Sequence, residues 1–174
     1  PPSEVSFLFE LFRAWAQDNA EKLCANNVRV RVRGDVRRLP GAVQTALSAL
    51  VSATARNTGC MLVLALAYGG QEEVAAACAK AARAALKGEV SPAALEDTGT
   101  FRTFLQHPDI PDPDLLIRTS GKLRLSNFLL YSLAYTELVV TDKLWPDFGE
   151  ADFLEAVKHF SARTRRFGKT DAQI

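Results

Sequence analysis

The chain has 174 residues, 48% of them apolar, enough to bury a core of one domain's size. Twenty-one basic side chains against twenty acidic ones leave a net charge of +1, which gives no general attraction to nucleic acid. The longest apolar run, Cys60–Tyr68, is about half of what a membrane-spanning helix needs, and no secretory apolar stretch opens the chain.

In chain order, Val5, Phe7, Leu8, Leu11, Phe12 and Trp15 recur at helical spacing, with Ser3 as N-cap and Glu4 in the first turn; this helix should reach about Cys24. Val28, Val30 and Val32 alternate with Arg29, Arg31 and Arg33, the period of a strand, closed by Gly34-Asp35. Five arginines up to Arg38 could form an anion patch, but the alternation with valine favours one solvated strand face. Pro40 fits the first turn of a second helix and Gly59 its C-terminal glycine.

Cys60–Tyr68 reads as a strand covered on both faces, broken by Gly69-Gly70; Tyr68-Gly69-Gly70 lacks the spacing of a nucleotide loop. A helix over 71–86 follows, and Ser91-Pro92 caps a shorter one. Three prolines make 107–114 a loop. Strand 115–119, helix 126–135, strand 137–141, Trp145-Pro146-Asp147 as a packed exit from the strand, and a helix over 150–167 complete the chain. Helices between strands imply right-handed crossovers. The fold class is α/β: a mostly parallel central sheet flanked by helices, as one layered domain over 1–174.

Three widely spaced cysteines (Cys24, Cys60, Cys78) lack metal-ligand spacing and read as reduced, buried thiols in a cytoplasmic protein. His107 and His159 have no nucleophile pattern beside them, so hydrolase chemistry has little support.

The segment 114–148 carries the candidate site. Arg118 ends an apolar strand, where open α/β sheets place ligands. Thr119, Ser120 and Gly121 form a tight turn with backbone N–H groups to offer, Arg124 returns a second guanidinium, and Ser126 opens the expected helix. Guanidinium forks match phosphate oxygens geometrically, so the ligand class is a diphosphate. The plainer alternative is a surface turn with solvated arginines.

These residues resemble the cis-prenyltransferases, the undecaprenyl and dehydrodolichyl diphosphate synthases. An Arg-Thr-Gly/Ser-Gly turn, a second arginine and a Ser-Asn-Phe-Leu-Leu run match Arg118 to Leu130, and Leu-Trp-Pro-Asp-Phe matches Leu144 to Phe148. Pro2 to Leu11, Val28 to Asp35, Asn57-Thr58-Gly59 and Tyr68-Gly69-Gly70 align in the same order. The resemblance implies that Arg118, Thr119, Gly121, Arg124 and Ser126 hold isopentenyl diphosphate. It implies that Glu137 supports Mg²⁺, and that Arg166 and Gly168 complete the site of a partner subunit. It also implies a homodimer, an allylic co-substrate such as farnesyl diphosphate, product release at a membrane surface (the ER face in a eukaryote), no nucleic-acid partner, and an apolar tunnel, for whose wall Phe7, Leu8, Leu11, Phe12 and the Cys60–Leu66 strand are candidates, with ordinary core the plainer reading of each.

This chain departs from the family at Lys122, commonly Glu, at Leu123, often His or Gln, and at Ala67 and Gln71. The family's N-terminal strand and its Asp-Gly-Asn-Arg-Arg loop, which in the family binds the allylic diphosphate and whose aspartate binds magnesium, are not in the sequence. The chain is therefore expected to be the C-terminal three-quarters of a longer enzyme, inactive alone. Two other readings are a non-catalytic partner subunit of a heteromeric synthase, which would have lost the turn kept here, and a generic phosphate-binding α/β module.

Overall fold

The computed structural model describes residues 2–163, with side chains from residue 4. They group into two compact units that divide between His107 and Pro108. The boundary falls where Pro108, Pro111 and Pro113 remove backbone donors and so prevent a strand ladder from continuing. The strands are parallel and lie among helices, as the α/β reading expects; among the described residues they form two pairs, one in each unit.

In the first unit α1 (Pro2–Ala25) and α2 (Gly41–Thr54) pack over a parallel pair, β1 (Arg29–Arg33) and β2 (Met61–Ala65). The helix α1 begins ahead of Ser3, so Ser3 lies inside it rather than at its cap. Val30 faces Ala16 and Leu50, while Phe12, Leu62 and Leu64 close around them. A second cluster joins Leu39, Val43 and Leu47 to Phe9, Val32 and Leu66. Alternation along β1 thus sends the valines under the helices, as the sequence requires.

The opposite face of β1 is not simply solvated. Arg33 is 7% exposed and donates to the Gln106 carbonyl at 2.9 Å. Arg31 contacts Nδ1 of His107, whose Nε2 donates to the Val32 carbonyl at 2.7 Å. Gln106 also accepts from the Gly34 N–H (2.8 Å) and donates to its carbonyl (3.3 Å), so one side chain imitates a neighbouring strand. The valine–arginine pattern reports only that the two faces differ. The cover on the arginine face comes from residues more than seventy positions away.

Short polar links tie the strand entries together. Thr54, fully buried, accepts from the Val30 N–H at 3.0 Å, and Asn57 donates to the Val28 carbonyl at 2.7 Å. Asn27 accepts from the Thr58 N–H at 2.8 Å, and its carbonyl accepts from the Gly59 N–H at 3.1 Å. Gly59 therefore docks on Asn27 rather than ending α2, which stops at Thr54; a Cβ there would meet the Asn27 carbonyl oxygen at 2.6 Å. The strand β2 has exposed ends, and Cys60 precedes it. Cys60 and Cys78 are exposed and Cys24 is half-buried, so the cysteines are free but not the buried thiols expected. From Gly70 to Leu86 runs α3, its small stripe Gly70, Ala77, Ala81 and Ala84 buried. Ser91 caps a 3₁₀ turn, Ala93–Glu96, and Asp97 caps the short α4 (Thr98–Arg102).

In the second unit β3 (Leu115–Arg118) and β4 (Glu137–Val140) run parallel, and α5 (Glu150–Ser161) packs against β4. The Thr136 hydroxyl donates to the Pro113 carbonyl at 2.6 Å, which sets the strand entries side by side. Trp145 is 72% exposed and stacks on Phe148 with ring centroids 6.0 Å apart, so it is a surface residue rather than the packed one expected.

Candidate functional site

Arg118 ends β3, and the chain then turns at Thr119–Gly121. The turn is fixed from β4's exit: the Ser120 N–H donates to the Lys143 carbonyl (2.8 Å) and the Gly121 N–H to the Thr141 carbonyl (2.9 Å). These donors are committed, so they are not the phosphate-binding N–H groups that the sequence suggests. Gly121 is required here on two grounds. Its φ is +65°, and a Cβ would meet Oδ1 of Asp142 at 2.5 Å.

The expected helix over 126–135 is not formed; the segment is a series of turns. Ser126, Asn127 and Leu129 all have positive φ (50°, 63° and 46°), which a right-handed helix cannot contain. Ser126 is therefore not a helix cap, and the helix dipole expected from a helix over 126–135 is not formed. Its hydroxyl nevertheless reaches the site by another route. Nη2 of Arg118 lies 3.5 Å from Ser126 Oγ, at the outer limit of a hydrogen bond.

Arg118 and Arg124 line one open cavity of about 350 Å³ with Thr119, Ser120, Leu125 and Phe128. Arg124 is exposed, whereas Nε of Arg118 is buried and has no hydrogen-bond partner among the described residues. A buried guanidinium N–H without an acceptor is costly unless a ligand supplies one. Two arginines and an unpartnered donor at a small cavity are an arrangement that can take an anion; Ser126 touches Arg118 but is not among the residues that line the cavity.

Glu137 is placed elsewhere. The register pairs Leu115 with Glu137 and Arg118 with Val140, so Glu137 sits three steps back, roughly 10 Å along the ladder. Its carboxylate accepts from Nη1 of Arg163 at 2.6 Å. Among the described residues no group of three or more His, Cys, Asp or Glu could hold a metal ion. A single carboxylate already engaged by a guanidinium does not fit a Mg²⁺ site on its own. Arg166 and Gly168 lie outside the described residues. The carbonyls of Thr141 and Lys143, Asp142 beside Gly121, and Arg163 went unnoticed in the sequence; the first three follow a strand end with no motif of their own.

The sequence profile of the undecaprenyl diphosphate synthase family matches residues 1–168. The chain belongs to that family. It is 42% identical over 168 residues to an isoprenyl transferase of Heliobacterium mobile, covering 97% of this chain and 64% of that protein. It is 42% identical over 174 residues to a ditrans,polycis-undecaprenyl-diphosphate synthase of Vibrio cholerae, covering all of this chain and 69% of that one. The chain spans about two thirds of the length of such relatives, 64% and 65% in the Heliobacterium mobile and Chlorobaculum tepidum isoprenyl transferases. Among solved structures it is similar to lavandulyl diphosphate synthase from Lavandula x intermedia in complex with dimethylallyl diphosphate. The TM-score is 0.91 with 36% identity, covering 97% of this chain and 73% of that one. The α/β fold class read from the sequence is that of these family members.

Proposed function

We propose that this chain supplies the isopentenyl diphosphate site of a cis-prenyl chain-elongating synthase. The observation that carries the proposal is the unpartnered, buried Nε of Arg118, whose Nη2 faces Ser126 and which shares a cavity with Arg124. The diphosphate of isopentenyl diphosphate would accept from Arg118, Arg124 and Ser126, and Thr119 would border it. Gly121 acts through the turn's shape, since its N–H is committed to Thr141.

In the reaction the allylic C–O bond breaks and its electrons leave with diphosphate. The C3–C4 alkene of isopentenyl diphosphate attacks the allylic carbon, a C–C bond forms, and a proton is lost to give the new cis alkene. The contribution of this chain's residues is binding and orientation: guanidinium groups fix the homoallylic diphosphate so that its alkene meets the allylic carbon. Mg²⁺ would supply charge neutralisation to the diphosphates. The described residues by themselves hold no group of three or more ligands for it.

A growing apolar product needs an apolar channel. Phe7, Leu8 and Leu11 on α1 are 66%, 53% and 55% exposed, which leaves a greasy face open in the first unit. Phe12, by contrast, packs in both core clusters and serves the core. Homodimer formation and release of product at a membrane surface from the cytoplasmic side belong to the same proposal. Exposed Tyr135, Leu138 and Trp145 in the second unit are compatible with a partner surface. No helix of the described residues is long and apolar enough to cross a membrane.

The test is turnover by the full-length enzyme that contains this chain, given radiolabelled isopentenyl diphosphate and farnesyl diphosphate, with products resolved by chain length. Arg118→Lys keeps the charge but loses the fork, and should lower kcat/KM for isopentenyl diphosphate about 10- to 100-fold, mainly through KM, because the diphosphate it holds does not change charge in the reaction. Unchanged kinetics in Arg118→Lys and Arg124→Lys would remove the proposal.

A further inference from the structure

The register of the first strand pair fixes which main-chain groups of β1 face away from β2. The Arg29 N–H donates to the Cys60 carbonyl (2.8 Å), and the Arg33 carbonyl accepts from the Leu66 N–H (2.9 Å). The odd-numbered residues of β1 therefore make the ladder. Val28, Val30, Val32 and Gly34 turn their N–H and C=O groups to the outer edge. Side chains take five of those groups. Asn57 donates to the Val28 carbonyl at 2.7 Å, and Thr54 accepts from the Val30 N–H at 3.0 Å. Nε2 of His107 donates to the Val32 carbonyl at 2.7 Å. Gln106 accepts from the Gly34 N–H at 2.8 Å and donates to the Gly34 carbonyl at 3.3 Å.

The four side chains come from two separate segments. Thr54 and Asn57 lie at and just past the end of α2 and fill the entry of the strand. Gln106 and His107 close the first unit and fill the exit. Open main-chain groups on an edge strand are a template for pairing with another chain, and sheets that stay soluble block them. We propose that Thr54, Asn57, Gln106 and His107 form a seal on the outer edge of β1, which keeps a second copy of this chain from adding there by strand pairing. The edge is occupied by bonds already made, so it is closed in a longer protein containing this chain as well.

The two ends of the seal differ in access. Thr54 is fully buried and also donates to the Leu50 carbonyl at 2.9 Å, so that end opens only if α2 moves. Gln106 and Gly34 are half-buried, which makes the exit the end an incoming strand reaches first. The Gln106 main chain is held independently, its carbonyl accepting from Nη2 of Arg33 at 2.9 Å. Changing the Gln106 side chain therefore removes the seal at Gly34 and leaves the segment anchored.

The test uses the full-length protein that contains this chain, and it reads association and amide exchange without turnover. Gln106→Met keeps the side chain's length and removes both bonds to Gly34. At low concentration the Gly34 amide should exchange about two- to tenfold faster, the range for one net hydrogen bond. On concentration, sedimentation velocity should show species larger than any the natural protein forms. Protection over 30–34 should then return, because the β1 edges pair. Gln106→Glu also loses the bond to the Gly34 carbonyl, but it places a charge on the edge that opposes pairing. It should sediment as the natural protein does. The seal is overturned if Gln106→Met sediments like the natural protein at every concentration, or if it associates while 30–34 stays unprotected. Equal association of Gln106→Glu and Gln106→Met would overturn it too, since lost stability rather than an open edge would then be the cause. If Gln106→Met does not fold, His107→Ala, which frees the Val32 carbonyl, carries the same measurements with the same outcomes.

Discussion

Arg33 and Glu73 face each other as an almost fully buried ion pair, Nε to Oε1 at 3.7 Å, and neither of those two atoms makes a hydrogen bond among the described residues. Other atoms of the two side chains are engaged: Nη2 of Arg33 with the Gln106 carbonyl, and Oε2 of Glu73 with the Tyr68 hydroxyl at 2.5 Å. The pair joins the end of β1 to the first turns of α3 through attraction more than through hydrogen-bond geometry. Removing one partner strands the other charge in a poorly solvated place. Arg33→Met or Glu73→Leu should each destabilise the first unit by about 3–5 kcal/mol, while the double apolar variant should lose clearly less than the sum. Urea unfolding of the four proteins measures it, and additive losses would mean that the pair is not coupled.

Gly34 continues from Arg33 with φ at +119°, and a Cβ there would lie 2.0 Å from the Leu66 carbonyl oxygen. Gly88 also has positive φ, +73°, but nothing within 4 Å. Gly88→Ala should therefore cost only the left-handed strain, about 1–2 kcal/mol. Gly34→Ala must in addition push Leu66 away and break the Leu66 N–H bond to the Arg33 carbonyl, now 2.9 Å. Its loss in midpoint denaturant concentration should be at least twice that of Gly88→Ala.

What the sequence made legible follows from interaction range. Helix α3 and strand β1 were read within a residue or two because their burial is periodic, and Val30 and Leu50 meet where alternation puts them. That Arg118 and Arg124 line one cavity likewise follows from short range, because a strand followed by a glycine turn brings near neighbours back together. The apolar spacing over 126–135 predicts a helix but says nothing of φ, and the positive φ at Ser126, Asn127 and Leu129 overrides it. Arg163 was invisible because its partner lies 26 positions away and no motif joins them.

Asp152 gives the expected pH dependence. The Lys143 ammonium, donating at 2.6 Å, and the Gly149 N–H hold its carboxyl below its ordinary value of 3.8. A lowered folded pKa means that the unfolded chain takes up the proton first as pH falls. The stabilisation is thus fully present above about pH 4 and is lost as pH drops through the folded value. Asp152→Asn should make stability less steep between pH 5 and 3, with most of the difference from the natural protein at the upper end of that range. A difference that grows as pH falls would contradict the assignment.

Gly121 separates the shape of the candidate site from its charge. Gly121→Ala leaves both arginines in place, yet its Cβ would meet Oδ1 of Asp142 at 2.5 Å and adopt a left-handed φ. The easiest relief is to move the turn, and movement would break the bonds from Ser120 to Lys143 and from Gly121 to Thr141 that fix it. Arg118 would then leave the cavity it shares with Arg124. Affinity for inorganic pyrophosphate, measured by calorimetry, should fall tenfold or more, while the first unit unfolds as before. Adding Asp142→Ala removes the obstructing carboxylate and leaves only the backbone strain, about 1–2 kcal/mol. The double variant should therefore bind more tightly than Gly121→Ala alone. If Asp142→Ala gives no recovery, strain at φ rather than contact with Asp142 governs the turn; if Gly121→Ala binds normally, the arginines hold diphosphate without it.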